Sequence, residues 1–446
     1  MTRLWAARAW LGGRWRERVV FEADAQGHWS RIDADQPVPE GAERLDAAVL
    51  PPLVDAHSHA FQRAFVGLAE RRESAHDDFW SWRDRMYGVA LRITPAQLRA
   101  VAAHLYAELL AGGYTQVCEF HYLHHAEDGT RYAEPAAMAQ ALADAAADAG
   151  IGLTLLPVLY ERAGFAQPAL RPDQRRFATT VDDVLALRQA ARGELVNAGV
   201  AVHSLRAARP ESIATLAARS EGPLHIHVAE QTAEVDDCLA ATGCRPIEWL
   251  TRHTPLDARW QLVHATHATP AEIDAVAARG AGVVLCPATE ANLGDGLPDL
   301  PRWLAAGVPL TVGSDSQVVR AWPEELRWLE YGQRLVLRQR NVAAAPGREP
   351  ATAARLYERL RAGGAAAAGA ARWGFEPGAR ADLLVLDASE HALTGLPPTH
   401  LLDGTVFAAP QQPFARVLVA GRWRTPDRAA LAARHAAAMQ ALWPAA

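Results

Sequence analysis

Two imidazoles set two residues apart, in Leu53-Val-Asp-Ala-His-Ser-His59, are the first chemistry this sequence offers. On a strand, residues i and i+2 project to the same side. His57 and His59 can therefore grip one divalent ion from one strand end, and imidazole is the commonest metal ligand. In a chain with 17 histidines such a pair alone is a weak motif. It gains weight from three later stretches, His225-Ile-His227-Val-Ala-Glu230, His264-Ala-Thr-His267 and Ser314-Asp315-Ser316. His57, His59, His227 and Asp315 together supply the nitrogen and carboxylate donors that zinc accepts, with a position left for water. Zinc lowers the pKa of its water towards ~7, which suits attack on an electrophilic carbon. In that chemistry Asp315 touches the metal and takes a proton, Glu230 carries protons to the leaving group, and His264 holds and polarises the nucleophile. Singly, each residue has a plainer reading: a satisfied polar histidine, or an aspartate capping a helix. The expectation rests on their joint placement.

That placement requires elements that bring distant segments to one face. Eight short apolar runs supply them, each followed by a helix-like segment. They are Ala48–Val54, Thr115–Phe120, Gly152–Leu159, Gly199–Ser204, Leu224–Val228, Trp260–His264, Gly282–Cys286 and Pro309–Gly313. Near-continuous apolar runs alternating with helices indicate buried parallel strands. Eight such units favour a closed α/β barrel, a TIM-like (β/α)8 fold, whose active site lies at the C-terminal strand ends. The candidate ligands fall at the ends of the first, fifth, sixth and eighth runs. Helices are predicted at Pro95–Ala111, Glu134–Ala149, Val181–Ala191, Glu211–Ala218, Glu234–Ala240 and Ala271–Ala278.

The two chain ends read differently. Arg18–Ala23, His28–Asp33, Ala381–Asp387 and Arg416–Trp423 are strand candidates. They predict a small β-sandwich domain built from residues 1–48 and 379–425, flanking a barrel at 49–378, with a C-terminal helix at 426–446. The aromatic stretch Phe79–Tyr87 is either a lid over the site or a docked helix. Residues 160–180 read as a polar, proline-containing loop of the kind that tolerates insertion.

Composition bounds the function. The 446 residues are 50% hydrophobic and 22% charged, with a net charge of −6. This gives no reason to expect nucleic acid or an acidic membrane as partner. No apolar stretch is long enough to span a bilayer, and the arginine-broken N-terminus does not read as a secretory signal. The four cysteines, Cys118, Cys238, Cys244 and Cys286, are widely spaced and fit reduced thiols in the cytoplasm. All 45 basic residues are arginine. Without lysine there is no Schiff base and no carboxylated lysine to bridge two metals, so a single divalent ion, zinc, is expected per chain. The cluster His121, His124 and His125 reads as second-sphere or loop histidines rather than a second metal site.

The pattern His57-x-His59, His227, His264 and Asp315 on successive strands, with a split β-domain, resembles the amidohydrolase superfamily. His227-Val-Ala-Glu230 resembles its deaminase branch. The phrases His57-Ser-His-Ala-Phe-Gln-Arg63, Glu119-Phe-His-Tyr-Leu-His-His125, Val202-His-Ser-Leu-Arg206, His227-Val-Ala-Glu-Gln231 and Gly313-Ser-Asp-Ser316 are similar to those of its members that act on N-formimino-L-glutamate. That resemblance implies hydrolytic deimination of a dicarboxylate during histidine degradation, and a homodimer. It also implies that Gln62, Arg83, Tyr122, His203 and Arg206 hold the glutamate portion, consistent with the preference of carboxylates for arginine forks. The rival expectation within the same chemistry is an aminohydrolase of a purine, pyrimidine or triazine amine. A non-catalytic scaffold that keeps the barrel is the rival from another class.

Overall fold

The structure is a computed structural model and describes residues 2–71 and 79–443. Residues 72–78, just before the aromatic stretch Phe79–Tyr87, lie outside the described residues.

Eight parallel strands form the centre: β1 (Leu53–Ser58), β2 (Tyr114–His121), β3 (Gly152–Leu159), β4 (Val200–Val202), β5 (Leu224–Val228), β6 (Trp260–His264), β7 (Gly282–Leu285) and β8 (Leu310–Val312). Each pairs with its neighbour in sequence. Val312 of β8 pairs with Asp55 of β1, which closes the barrel. Every residue of these eight strands is buried. This is why they appear in sequence as unbroken apolar runs rather than as alternation.

The helices start where the sequence carries start signals. Thr94, Thr180 and Thr269 accept hydrogen bonds from the backbone three residues on, and Gln97, Asp183 and Glu272 answer them to complete capping boxes. The helix Pro95–Ala111 has the predicted bounds. The other predicted helices occur within a few residues of their expected ends.

The first apolar run divides differently from expectation. Glu43–Leu50 belongs to the terminal sheet, and the barrel strand starts only at Leu53. Pro51 and Pro52 stand between them, and neither has an N–H for a ladder. The terminal sheet has seven strands drawn from both chain ends. Thr2–Leu11 lies between Arg14–Ala23 and Glu43–Leu50, and Leu383–Leu386 joins the C-terminal strands to Glu43–Leu50. The β-sandwich expectation is thus realised as one continuous hydrogen-bonded sheet with its own apolar cluster, which includes Leu4, Phe21, Trp29, Val49, Leu383 and Leu418. The C-terminal helix Arg428–Leu442 starts at an Asp427 cap and packs on the helix Pro95–Ala111. Phe79–Ala90 is helical. Among the described residues no helix is long and apolar enough to cross a membrane.

Candidate active site

The C-terminal ends of β1, β5, β6 and β8 bring the predicted ligands together. His57 ends β1 and His59 follows it, just before the short helical turn Ala60–Ala64. The Nε2 atoms of His57 and His59 are 3.1 Å apart, and those of His57 and His227 are 2.9 Å apart. Asp315 Oδ1 lies 3.4 Å from Nε2 of both His57 and His59. One ligand atom from each of the four residues falls within 4.8 Å of all the others, and all four residues are buried.

Whether a cation fits here is decided by the far side of the rings. His59 Nδ1 donates to the Phe120 carbonyl at 3.0 Å, and His227 Nδ1 donates to the His203 carbonyl at 3.0 Å. A carbonyl only accepts, so Nδ1 carries the proton in both rings. Burial holds His59 and His227 below the ordinary histidine range and pushes His57 down to about 3, so the rings are neutral. The Nε2 lone pairs of His59 and His227 then both point at His57 Nε2 across about 3 Å. One N–H on His57 Nε2 can answer only one of these acceptors, whereas a cation answers all the rings at once, and the carbonyls behind His59 and His227 are the usual outer-sphere partners of metal-binding histidines. Burial would raise Asp315, but the hydrogen bond from His57 and the surrounding histidines hold it well below the usual carboxylate range. Three neutral imidazoles and one carboxylate are a donor set for a single divalent ion.

The ligand loops are braced from behind. Glu119 accepts from Ser58 Oγ (2.8 Å), the Ala60 amide (2.7 Å) and Tyr106 (3.1 Å). Gln317 Nε2 donates to Ser58 Oγ at 3.0 Å and to the Asp315 carbonyl at 2.8 Å. Ser314 donates its amide and hydroxyl to Asp55. Asp315, at φ 47°, and His264, at φ 70°, both sit in the left-handed region, a cost met by these surrounding bonds.

Beside these four residues stands a cluster of buried titratable side chains. His264 Nε2 is 3.6 Å from Glu230 Oε1 and 3.9 Å from Asp315 Oδ2. Burial raises Glu230 to about 7, with Asp315 adding to the shift and His264 opposing it. Burial opposes protonation of His264, yet Glu230, Glu290 and Asp315 together raise it. Glu290 lies 3.4 Å from His264 Nδ1 and accepts from the Cys286 amide at 2.9 Å.

A cavity of about 590 Å³ opens above this floor. It is lined by His59, Gln62, Arg83, Tyr122, His203, Arg206, His227, Glu230, His264 and Asp315, so every candidate residue except His57, which lies beneath, reaches it. Gln62 Nε2 donates to the Tyr122 hydroxyl at 3.3 Å. The His203 ring stands 5.2 Å from that of His227. Arg206 Nη1 is 3.9 Å from Glu234 Oε2, which also accepts from the Glu230 amide. The Arg83 guanidinium lies 5.7 Å from the Tyr87 ring centre.

Comparison with known proteins fits this geometry. Residues 48–424 match the amidohydrolase family. The chain belongs to the amidohydrolase family. It is 47% identical to a formimidoylglutamate deiminase of Pseudomonas aeruginosa, over 96% of this chain and 95% of that one. An 8-oxoguanine deaminase of the same species is 28% identical over 91% of each chain. The crystal structure of an amidohydrolase from Brucella melitensis superposes with a TM-score of 0.93 at 41% identity, covering 99% of this chain and 100% of that one.

Several site residues of this amidohydrolase escaped the sequence. Glu290 follows β7, a strand whose end carried no histidine or aspartate to mark it. Tyr160, Phe177 and Arg171 line the cavity from the loop expected only to tolerate insertion. His124, expected at the loop surface, is buried beside His121, their ring centres 4.8 Å apart. His225 faces away from the ligands and bonds the Ala367 carbonyl at 2.9 Å. All four cysteines are buried and free.

Proposed function

We propose that this chain catalyses hydrolytic deimination of N-formimino-L-glutamate, giving N-formyl-L-glutamate and ammonia. The observation that carries the reading is the 47% identity to a formimidoylglutamate deiminase over nearly the whole of both chains. The site supports it with charges suited to a dicarboxylate bearing a cationic formimino group: Arg83, Arg171 and Arg206 line the cavity together with the carboxylates Glu230 and Asp315.

His57, His59, His227 and Asp315 would hold one divalent ion, and zinc suits three imidazoles and a carboxylate. Bound there, the metal would supply Lewis acidity and lower the pKa of water towards ~7. The chain's own residues do the rest. Arg206 and Arg83 bind the carboxylates, while Gln62, Tyr122 and His203 orient the glutamate portion. Glu230 starts as a carboxylate, takes a proton as water adds to the formimino carbon, and delivers it to the departing nitrogen. His264, protonated between three carboxylates, donates towards the oxygen that becomes the formyl carbonyl. As Asp315 takes the remaining proton of the added water, the C–N bond to the terminal nitrogen breaks, ammonia leaves, and the formyl group stays on the glutamate nitrogen. The physiological setting is histidine degradation in the cytoplasm. A homodimer completes the reading, supported by the exposed Trp328, Tyr331, Leu335 and Val336 on the helix Trp322–Leu337.

The aromatic lining, Tyr87, Tyr122, Tyr160 and Phe177, favours a second reading, deamination of a purine, pyrimidine or triazine ring. One experiment separates the two: ammonia release by zinc-loaded protein from N-formimino-L-glutamate, beside a panel of ring amines. Release confined to the formimino compound is expected. Release confined to a ring amine would leave the floor chemistry standing and overturn the substrate.

A further inference from the structure

The loop 160–179 forms a wall of the cavity, and its one charged side chain in that lining is Arg171. Asp173 holds the Arg171 guanidinium through Nε at 3.0 Å and Nη2 at 2.9 Å. Nη2 also reaches the Tyr87 hydroxyl at 3.4 Å, and the guanidinium carbon lies 5.7 Å from the Tyr87 ring centre. Nη1 makes no hydrogen bond among the described residues. Arg83 lies over the same ring, also at 5.7 Å. Two guanidiniums thus share one tyrosine at the edge of one cavity. Burial lowers the Arg83 pKa, and the charges of Arg171 and Arg206 lower it further. Like charges gathered in a partly desolvated cavity call for an anion.

The position of this pair relative to the reacting centre follows from a ladder of rings. His59 contacts Tyr122 at 5.1 Å, Tyr122 contacts Phe177 at 5.3 Å, and Phe177 contacts Tyr87 at 5.8 Å between centres. Arg171 stands beyond the last ring. Arg206 is nearer the floor, where its charge acts on His203 and Glu230. A substrate with two carboxylates, one close to its reacting end and one at its far end, matches these two levels of positive charge.

We propose that Arg171, with Arg83, binds the substrate carboxylate farthest from the reacting carbon, so that Arg171 is a specificity-determining residue for substrate length. This rests on the dicarboxylate reading above. Asp173 orients the guanidinium and leaves Nη1 as the donor that the distal carboxylate takes. The plainer role for Arg171 is to pin its own loop through Asp173, and the test separates the two.

The test compares N-formimino-L-glutamate with N-formimino-L-alanine, which lacks the distal carboxylate. With Arg171→Met, KM for the glutamate compound should rise about 10- to 100-fold, the worth of one charge-assisted hydrogen bond. Its kcat should stay within about twofold, and the alanine compound's kcat/KM should not change, as expected for lost uniform binding of one group. Arg171→Lys should recover part of the loss, and Asp173→Asn, which loosens the hold on the guanidinium, should raise the glutamate KM less than Arg171→Met does and leave the alanine compound's kcat/KM unchanged. An unchanged KM in Arg171→Met would overturn the proposal. So would equal losses on both substrates with Asp173→Asn reproducing them, since that is loop pinning. Glutarate binding by calorimetry covers the case in which no formimino compound is turned over and the functional reading fails. Weaker glutarate binding in Arg171→Met, with acetate binding unchanged, would still support a distal carboxylate subsite; equal glutarate affinity would overturn it.

Discussion

The floor and the rim of the cavity are built on different principles. The floor, at the ends of β1, β5, β6 and β8, is made of side chains fixed on buried strands and braced by Glu119, Gln317, Ser314 and Asp55. The rim is made of the helix Phe79–Ala90 and the loop 160–179, where aromatic rings and arginines stack on one another. The floor carries convergent imidazole nitrogens and, 3.6 Å apart, the side chains of Glu230 and His264. The rim carries positive charge and apolar surface. Reaction type is therefore written in strands, where position is held to a fraction of an ångström, and substrate choice in connections, where it can vary without disturbing the barrel.

The largest expected effect separates the two at once. Replacing His227 by Ala, or removing divalent metal with a chelator, should abolish ammonia release and lower the melting temperature, because binding to the folded state contributes stability. Restoring zinc should recover the chelated protein but not His227→Ala. A rim change such as Phe165→Leu, at a ring that lines the cavity from the loop 160–179, should leave zinc content at one per chain, measured by atomic absorption. Next in size is Glu230→Gln, expected to lower kcat by about 10²–10⁴-fold, the usual worth of a general acid–base, while zinc stays bound. Full activity in that variant would remove Glu230 from the proposed mechanism.

The same division decided what could be read from sequence. His57, His59, His227, His264 and Asp315 were legible because each ends a short apolar run, and a closed barrel puts all such ends on one face. The unbroken burial of the eight strands made the runs visible. Glu290 was not legible, since its link to His264 spans 26 residues and no local pattern marks it. Arg171 lies in a loop without periodicity, 84 residues from Tyr87 on the helix Phe79–Ala90, so nothing local announced that the loop folds over the site. Gln62, Arg83, Tyr122, His203 and Arg206 were suggested by resemblance of short phrases; spacing alone would have left Arg83 as an ordinary surface cation. The first barrel strand was misplaced because Ala48–Val54 is apolar throughout, and only the proline pair divides its two sheets.

The pH dependence sharpens the comparison at intermediate size. Burial raises Glu230 to about 7 in the folded protein, so its carboxylate is lost as pH falls through that value. With Glu230 needed first as a base, kcat/KM should fall below about pH 7 rather than in the ordinary carboxyl range. Rim variants should shift the height of the profile and leave this limb in place. A limb that moves with Phe165→Leu would show that the rim sets the electrostatics of the floor.

The smallest effect is a pair of glycines, one at each level. A Cβ added at Gly313 would meet His57 Cβ at 2.6 Å and the His57 amide nitrogen and carbonyl oxygen at 2.8 Å. The backbone of β1 cannot yield without displacing a ligand. Gly313→Ala should therefore destabilise the fold by about 1–3 kcal/mol, the range for overpacking a core, and loosen zinc binding. A Cβ added at Gly164 meets nothing within 4 Å, and its backbone is not in the left-handed region. Gly164→Ala should change stability by no more than about 0.5 kcal/mol and leave zinc affinity untouched. Urea denaturation and zinc titration of the two variants read both quantities. If Gly164→Ala weakened zinc binding as much as Gly313→Ala, the floor would depend on the rim for its geometry, and the separation of reaction type from substrate choice would fail.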